Sequence, residues 1–524
     1  MQPIKLTPRD YQKAILESCK KESCIVILPT GTGKTLVALM LAYEKFIENP
    51  LKKVVFLAPT RPLIEQHIAY FNKNLPDGFA QIDLFTGKTP AEQRKKIWQR
   101  AEFIFSTPQC IGNDLKHNLY DLSEVCLLII DECHRCTKNY AYNFVCQKYK
   151  EQSEKPLVLG LTASPGSDRK TIQKVCDNLG VSKVEIRTRD SEDVKPYLQE
   201  LDFEKVDIDF PIEFEEIRQL MKDVYNDKIT ELKEKKLLFG PSSKTTLFEL
   251  QKKMFANLSS GDKNPMYYSG ISICSQAIKI NHAVELLETQ TLSSFTNYLK
   301  ELFAQASEKK SRGVQNLVKD LRFNKAYTLA TTLDLEHPKL AKLKEIIETA
   351  LQENPKAKII TFVQFRETAL KISNELMKNE KIRVGIFVGQ AKKEHEGGKS
   401  STGLNQKEQK EMIRQFSAGE INVLCATSIA EEGLDIPEVN EVIFYEPVPS
   451  AIRKIQRAGR TARLFPGKLK ILVTKNTRDQ IYHYASQARE KRMHSAIKDI
   501  QDEKNEASQS HPLGKEAEGQ KKLF

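Results

Sequence analysis

Five short runs rich in Val, Ile and Leu alternate with helical segments in the first third of the chain: Cys24 to Leu28, Val54 to Ala58, Phe103 to Ser106, Val125 to Asp131 and Leu157 to Ala163. Each run is apolar on both faces, which is the requirement on a parallel strand covered by helices above and below. The same rhythm returns after residue 340, in Ala357 to Val363, Arg383 to Gly389, Ile421 to Thr427, Glu441 to Tyr445 and Leu469 to Thr474. A chain of this kind is α/β, and the recurrence predicts two doubly wound parallel-sheet lobes built on one plan.

Between them the strand pattern stops and helical spacing takes over. Ile217, Leu220, Met221 and Val224 share one face, as do Leu247, Leu250 and Met254,. The stretch is too long for a linker and reads as an inserted helical domain. The expected boundaries are 1–200 for lobe 1, 201–330 for the insert, 331–490 for lobe 2 and 491–524 for a polar tail, and a length of 524 residues fits roughly three or four domains,. The insert's later basic residues, Lys252, Lys253, Lys309, Lys310 and Arg312, fit either a phosphate-tracking surface or an ordinary solvated face,.

A hydrophobic fraction of 40% and a charged fraction of 29% are those of a globular protein,. No apolar run approaches the roughly 20 residues that span a bilayer. Met1 to Thr7 lacks a basic start, an apolar run and a cleavage site, so an intracellular location, cytoplasm or nucleoid, is expected with no membrane partner. A net charge of +12 favours an anionic partner, since Lys and Arg clusters gain from counterion release,. Among ten cysteines, Cys133 and Cys136 form one C-x-x-C pair. No second pair follows at metal-ligand spacing, so free buried thiols are expected.

The chemistry begins at Thr30-Gly31-Thr32-Gly33-Lys34-Thr35, which follows a buried strand and precedes an apolar-periodic helix. That is the context of a phosphate-binding loop. Gly31 and Gly33 let backbone N–H groups turn toward phosphates, and the helix N-terminus adds a favourable dipole. Lys34 supplies charge to the β and γ phosphates of ATP, and Thr35 a hydroxyl for Mg²⁺. The strict pattern has Gly at its first position, where this chain has Leu28. About a hundred residues later a buried strand ends in Asp131-Glu132-Cys133-His134. A carboxylate at such an edge can hold Mg²⁺ while its neighbour polarises water, which makes Asp131 the metal residue and Glu132 the general base.

In company these strings resemble superfamily 2 helicases, whose motifs occur in order across residues 9 to 463. The resemblance implies two RecA-like lobes. It makes Arg9 and Gln12 the adenine-recognising pair, Thr60 and Arg61 part of motif Ia, Thr107 part of motif Ib, and Thr162 to Ser164 motif III. Gln364 and Arg366 fall in motif IV, and Thr427 with Gly433 and Asp435 in motif V. Gln456 through Arg463 resemble motif VI, with Arg460 and Arg463 as the arginine fingers opposite the γ-phosphate and Gln456 near the triphosphate. Thr60, Arg61, Thr107, Gln364, Arg366, Gln390 and Thr427 then line the nucleic-acid track. His134, Thr162 and Ser164 couple the site to the rest of the molecule, with His134 expected to face the other lobe.

Within that superfamily the chain is most similar to the archaeal Hef and Fanconi-anaemia M-type family, helicase part only. The residues that say so are Asp131 to His134, the helical insert, His337-Pro338-Lys339, and Val388-Gly389-Gln390 leading through Gly397-Gly398-Lys399 to Phe416. The resemblance implies a DNA helicase or translocase on forks and four-way junctions in DNA repair. A duplex-RNA-directed ATPase and a non-catalytic junction scaffold remain as alternatives. The end of the chain, Gln520 to Leu523 and Phe524, resembles the short peptides that dock on sliding clamps.

Overall fold

Every strand read from the sequence forms, and three more join at the edges. The computed structural model describes residues 4–509 except 138–139, 167, 263, 390–402, 431–435, 460 and 462–465. Lobe 1 holds β1 (Cys24–Ile27), β2 (Lys53–Leu57), β3 (Ile82–Phe85), β4 (Phe103–Ser106), β5 (Val125–Ile130), β6 (Val158–Thr162) and β7 (Lys183–Ile186) in one sheet, ordered β3-β4-β2-β5-β6-β1-β7. The second sheet takes β8 (Leu201–Ile208), β9 (Ile359–Phe362), β10 (Val384–Phe387), β11 (Val423–Ala426), β12 (Glu441–Phe444) and β13 (Gly467–Thr474), ordered β10-β11-β9-β12-β13-β8. All pairings are parallel. Each sheet is sandwiched between two apolar layers, as continuous apolar strands demand,.

Two expected boundaries move. Residues 201–208, assigned to the start of the insert, form β8, which pairs in register along all eight residues of β13. The chain therefore enters lobe 2 before the insert begins, because the outer edge of β13 needs backbone partners that a helix cannot supply. Where a polar tail is expected over 491–524, its described part, 491–509, is the second half of one helix, Arg478–Gln509. Its Met493, Ala496, Ile497 and Ile500 are buried in the core of lobe 1. Their i, i+3, i+4, i+7 spacing is an amphipathic stripe narrow enough to be hidden among charged residues. This helix leaves lobe 2 beside β13, touches the insert helix Pro265–Thr289, and ends against β7 and the helix Arg169–Leu179 of lobe 1.

The insert, among the described residues, consists of the helices Ile212–Glu234, Lys244–Ser259, Pro265–Thr289, Leu292–Ser307, Arg312–Leu317 and Leu321–Thr332. It has its own core around Phe214, Ile217, Met221, Ile280 and Phe295. All ten cysteines are buried and free. Among the described residues no cluster of three or more His, Cys, Asp or Glu is arranged to hold a metal, and no helix is long and apolar enough to cross a membrane.

Candidate nucleotide site and nucleic-acid track

The loop after β1 is built for close approach. Gly33 has φ 84° and caps the helix Lys34–Glu48, a left-handed conformation that glycine adopts without steric cost,. A Cβ there would also fall on the Gln12 amide. Gln12 donates from Nε2 to the Thr32 carbonyl at 3.0 Å, and Tyr11 donates to the same oxygen at 2.6 Å. Arg9, which caps the helix Asp10–Lys21, lays its guanidinium over the Tyr197 ring at 4.7 Å. Arg9 and Gln12, the pair expected to read adenine, thus stand at the loop's side. Lys34 donates from Nζ to the carbonyls of Leu28 and Pro29 at 2.9 and 3.2 Å. Thr30, Gly31 and Thr35 complete the loop, Gly31 also with positive φ.

Two strands away, Asp131 ends β5. Burial pushes its carboxyl up, but the hydrogen bond and charge of His67 and the charge of Lys34 outweigh that and hold it below the usual carboxylate range,. His67 Nε2 stands 2.8 Å from Asp131 Oδ2. An anionic carboxylate within the field of Lys34, together with the Thr35 hydroxyl, is a hard-oxygen donor set that fits Mg²⁺, which takes few protein ligands and the rest from phosphates and water. Glu132 follows with φ 50° and ψ 46°, a strained conformation for a residue with a side chain,. His134 Nδ1 lies 3.2 Å from Glu132 Oε2 and 3.2 Å from Thr162 Oγ1. Thr162 in turn bonds Ser164, and Ser164 donates to Met493 Sδ at 2.9 Å. The motif reading has His134 facing the other lobe. The two contacts with Glu132 and Thr162 lie within its own lobe, and the network continues through Ser164 to the helix arriving from lobe 2.

Across the cleft, the helix Ala451–Ala458 presents Gln456, buried, and Gly459. A Cβ on Gly459 would fall inside the Thr30 side chain, so only glycine allows the motif VI helix to press on the phosphate loop. Arg457, by contrast, is fully buried in lobe 2 with its guanidinium 4.9 Å from the Phe362 ring centre and 5.6 Å from that of Phe444.

Comparison with known proteins follows the same division of the chain. Residues 5–167 match the family "Type III restriction enzyme, res subunit", residues 213–337 "Putative ATP-dependent RNA helicase, helical bundle", and residues 338–465 "Helicase conserved C-terminal domain". The crystal structure of the Pyrococcus furiosus Hef helicase domain is 41% identical with a TM-score of 0.70, covering 92% of this chain and 98% of that one. This chain belongs to the superfamily 2 helicases of the Hef and Fanconi-anaemia M type. A "Putative ATP-dependent RNA helicase" of Methanocaldococcus jannaschii is 38% identical over 95% of this chain and 62% of its own length. An "ATP-dependent DNA helicase mph1" of Neurospora crassa is 34% identical over 92% of this chain and 42% of its own. The chain therefore spans under two thirds of the length of these two relatives.

In this Hef-type chain the remaining expected residues that are described fall on one edge of each sheet. Thr60 and Arg61 follow β2, Thr107 follows β4, Gln364 and Arg366 follow β9, and Thr427 follows β11. Thr60 Oγ1 is buried with no hydrogen-bond partner, Arg61 donates to Glu65 at 2.8 Å, and Gln364 is exposed. Arg366 donates to the Gly389 carbonyl at 2.8 Å and Thr427 is buried. Gln390, Gly433, Asp435, Arg460, Arg463, Gln520, Leu523 and Phe524 lie outside the described residues. The Hef-like stretch before Phe416 also holds its own local structure together. Asn405 and Glu408 form a capping box on the helix Gln406–Ala418, and Gln409, buried, donates to the Val388 carbonyl at 3.2 Å,.

Three functional neighbours escaped sequence reading. His67 carries no motif signal, since a lone His in an amphipathic helix reads as core. Met493 and Tyr197 reach the site from segments distant in sequence, and only the fold brings them there.

Proposed function

We propose that the chain is an ATP-driven translocase acting on branched DNA such as forks and four-way junctions. One observation carries the reading: the C-terminal edge of the lobe 1 sheet is divided. Residues suited to a nucleotide follow β1, β5 and β6, and residues suited to a phosphate backbone follow β2 and β4 on the other half,. In lobe 2 the motif VI helix follows β12 and the candidate track residues follow β9 and β11.

Lys34 and the arginines Arg460 and Arg463 grip one triphosphate from opposite lobes, with Gln456 beside it and Arg9 and Gln12 on the adenine. Bound through Asp131 and Thr35, Mg²⁺ would neutralise charge on the phosphates. Glu132 polarises the attacking water, and His134, Thr162 and Ser164 pass the change to the lobe 2 helix. Hydrolysis removes the bridge, the lobes reopen, and each lobe resets its hold on the strand through Thr60, Arg61 and Thr107 or Gln364, Arg366, Gln390 and Thr427.

ATPase assays with forked DNA, linear duplex DNA and duplex RNA test the substrate. Forked DNA stimulates most in this reading. Stimulation by duplex RNA alone selects the second reading, which the RNA-helicase name of the M. jannaschii relative favours. Lys34→Ala abolishes turnover, and Arg460→Ala spares nucleotide binding while lowering kcat by about 10³-fold or more. Undiminished DNA-stimulated turnover in both variants refutes the assignment.

A further inference from the structure

The two halves of the lobe 1 edge meet where β2 lies beside β5. At that edge a polar side chain crosses the seam. His67 stands on the helix Arg61–Asn74, whose first turn carries Thr60 and Arg61, and its Nε2 lies 2.8 Å from Asp131 Oδ2 at the end of β5. A carboxylate only accepts hydrogen bonds, so the ring donates. His67 is 6% exposed, and its ring packs on Phe56 of β2 with centroids 4.5 Å apart. The helix beneath it is fixed to β2 and β4 through Ile64 and Phe71, Phe71 packing edge-on against Phe56 and Phe105. The imidazole therefore has little room to turn independently of its helix.

We propose that His67 is a positioning residue that couples the nucleic-acid track to the metal carboxylate. This rests on the reading of Asp131 and Thr60–Arg61 given under Proposed function. A shift of the helix Arg61–Asn74 when a strand binds at its N-terminus moves the donor at Asp131 Oδ2, and so the orientation in which the carboxylate meets Mg²⁺. Hydrogen bonds of this outer kind fix the direction of a metal-binding carboxylate, and their loss typically costs 10- to 100-fold in metal affinity or activity. The bond spans two elements, one on each side of the seam, so it also supplies a physical path from strand to nucleotide independent of the Thr162–Ser164 route.

Three variants separate the hydrogen bond from packing. His67→Phe keeps a ring against Phe56 without a donor, His67→Met is a flexible apolar alternative should the Phe variant fail to fold, and His67→Gln retains a donor at similar reach. Two readouts are needed: Mn²⁺ affinity of the protein with ADP, followed by electron paramagnetic resonance, and the ratio of ATPase with saturating forked DNA to ATPase without DNA. The donor-less variant is expected to bind Mn²⁺ about tenfold or more weakly and to lose most of its DNA stimulation, with DNA affinity changed less than about twofold. His67→Gln recovers both. Unchanged Mn²⁺ affinity and stimulation in a folded donor-less variant overturns the proposal, as does equal loss in His67→Gln. If the unmodified protein shows no DNA stimulation, the functional reading fails while Mn²⁺ affinity still tests the His67–Asp131 link.

Discussion

The insert and lobe 1 both touch lobe 2, and they do so in opposite ways. Against the insert, lobe 2 closes a buried polar latch. Lys339 is fully buried, ion-paired with the equally buried Asp479, and donates to the Thr289 carbonyl of the insert at 3.0 Å. Thr368 donates to Gln290 Oε1 at 2.8 Å, Arg478 to the Asn281 carbonyl at 2.9 Å, and Arg218 of the insert to the Asn476 carbonyl at 2.8 Å. Against lobe 1, lobe 2 sets the helix Arg478–Gln509 and, beside it, ion pairs open to solvent, Lys410 with Glu65 at 2.9 Å and Arg169 with Glu503 at 2.5 Å. Between them lies a cavity of about 300 Å³ lined by Pro29, Thr30, Lys454, Gly459 and Met493. A buried network of an ion pair and hydrogen bonds has few good arrangements, whereas ion pairs open to solvent beside a cleft tolerate several. The insert should therefore travel with lobe 2 as one body while lobe 1 swings, tethered by the helix Arg478–Gln509.

The strongest way to break the contrast is Lys339→Ala. It leaves Asp479 buried without its ion-pair partner, a loss of about 3–5 kcal/mol, read as a lowered unfolding midpoint. Converting the pair together to Met and Leu should recover most of that loss, because the desolvation cost leaves with the charges. If Lys339→Ala changes stability no more than a surface substitution does, the latch is not what joins insert to lobe 2.

Met493→Ala attacks the other interface. The side chain is 1% exposed and packs into lobe 1. Its truncation should cost about 2–3 kcal/mol. Fluorescence transfer between dyes on lobe 1 and lobe 2 should broaden, while transfer between the insert and lobe 2 stays fixed. Broadening of both would remove the distinction.

The contrast also explains what the sequence revealed. Central strands such as Val125–Ile130 are apolar on both faces and readable as strings. The three missed strands, β3, β7 and β8, are edge or near-edge strands with partly exposed, charged faces, as in Leu201–Ile208, and alternate too weakly to announce themselves,. Lys34, Asp131 and Glu132, the residues proposed for phosphate and metal, stand in local motifs because such chemistry needs fixed backbone geometry. His337-Pro338-Lys339 was visible only as a family resemblance. Its role in the latch depends on Thr289 and Asp479, respectively 50 and 140 positions away, and no local pattern records that.

A pH experiment sharpens the latch further. Burial raises the Glu446 carboxyl to about 7, against the opposing charges of Arg457 and Lys339. The folded state thus keeps a proton that the unfolded state releases above its ordinary value near 4.5. Glu446 contributes its full stability below that value and loses it as pH rises toward and through about 7,. Glu446→Gln should remove the loss and stabilise the protein at pH 8 by on the order of 1–3 kcal/mol relative to the unmodified chain. A pH profile of unfolding identical in the two proteins would mean that Glu446 is ionised in the fold.

The smallest effect belongs to Lys410→Ala. Its side chain is 64% exposed and that of Glu65 32%, and the Lys410 hydrogen bond holds Glu65 below the usual carboxylate range. Solvent screens such a pair, so stability should change by about 0–1 kcal/mol, and less in high salt. Glu65 also accepts from Arg61 at 2.8 Å, so it keeps a cationic partner when Lys410 is gone. The expected signature is kinetic: lobe 1 and lobe 2 separate sooner in low salt, and the difference disappears in high salt. A loss of stability comparable to that of Lys339→Ala would show that the lobes are held by a tight contact, and the freedom assigned to lobe 1 would have to be given up.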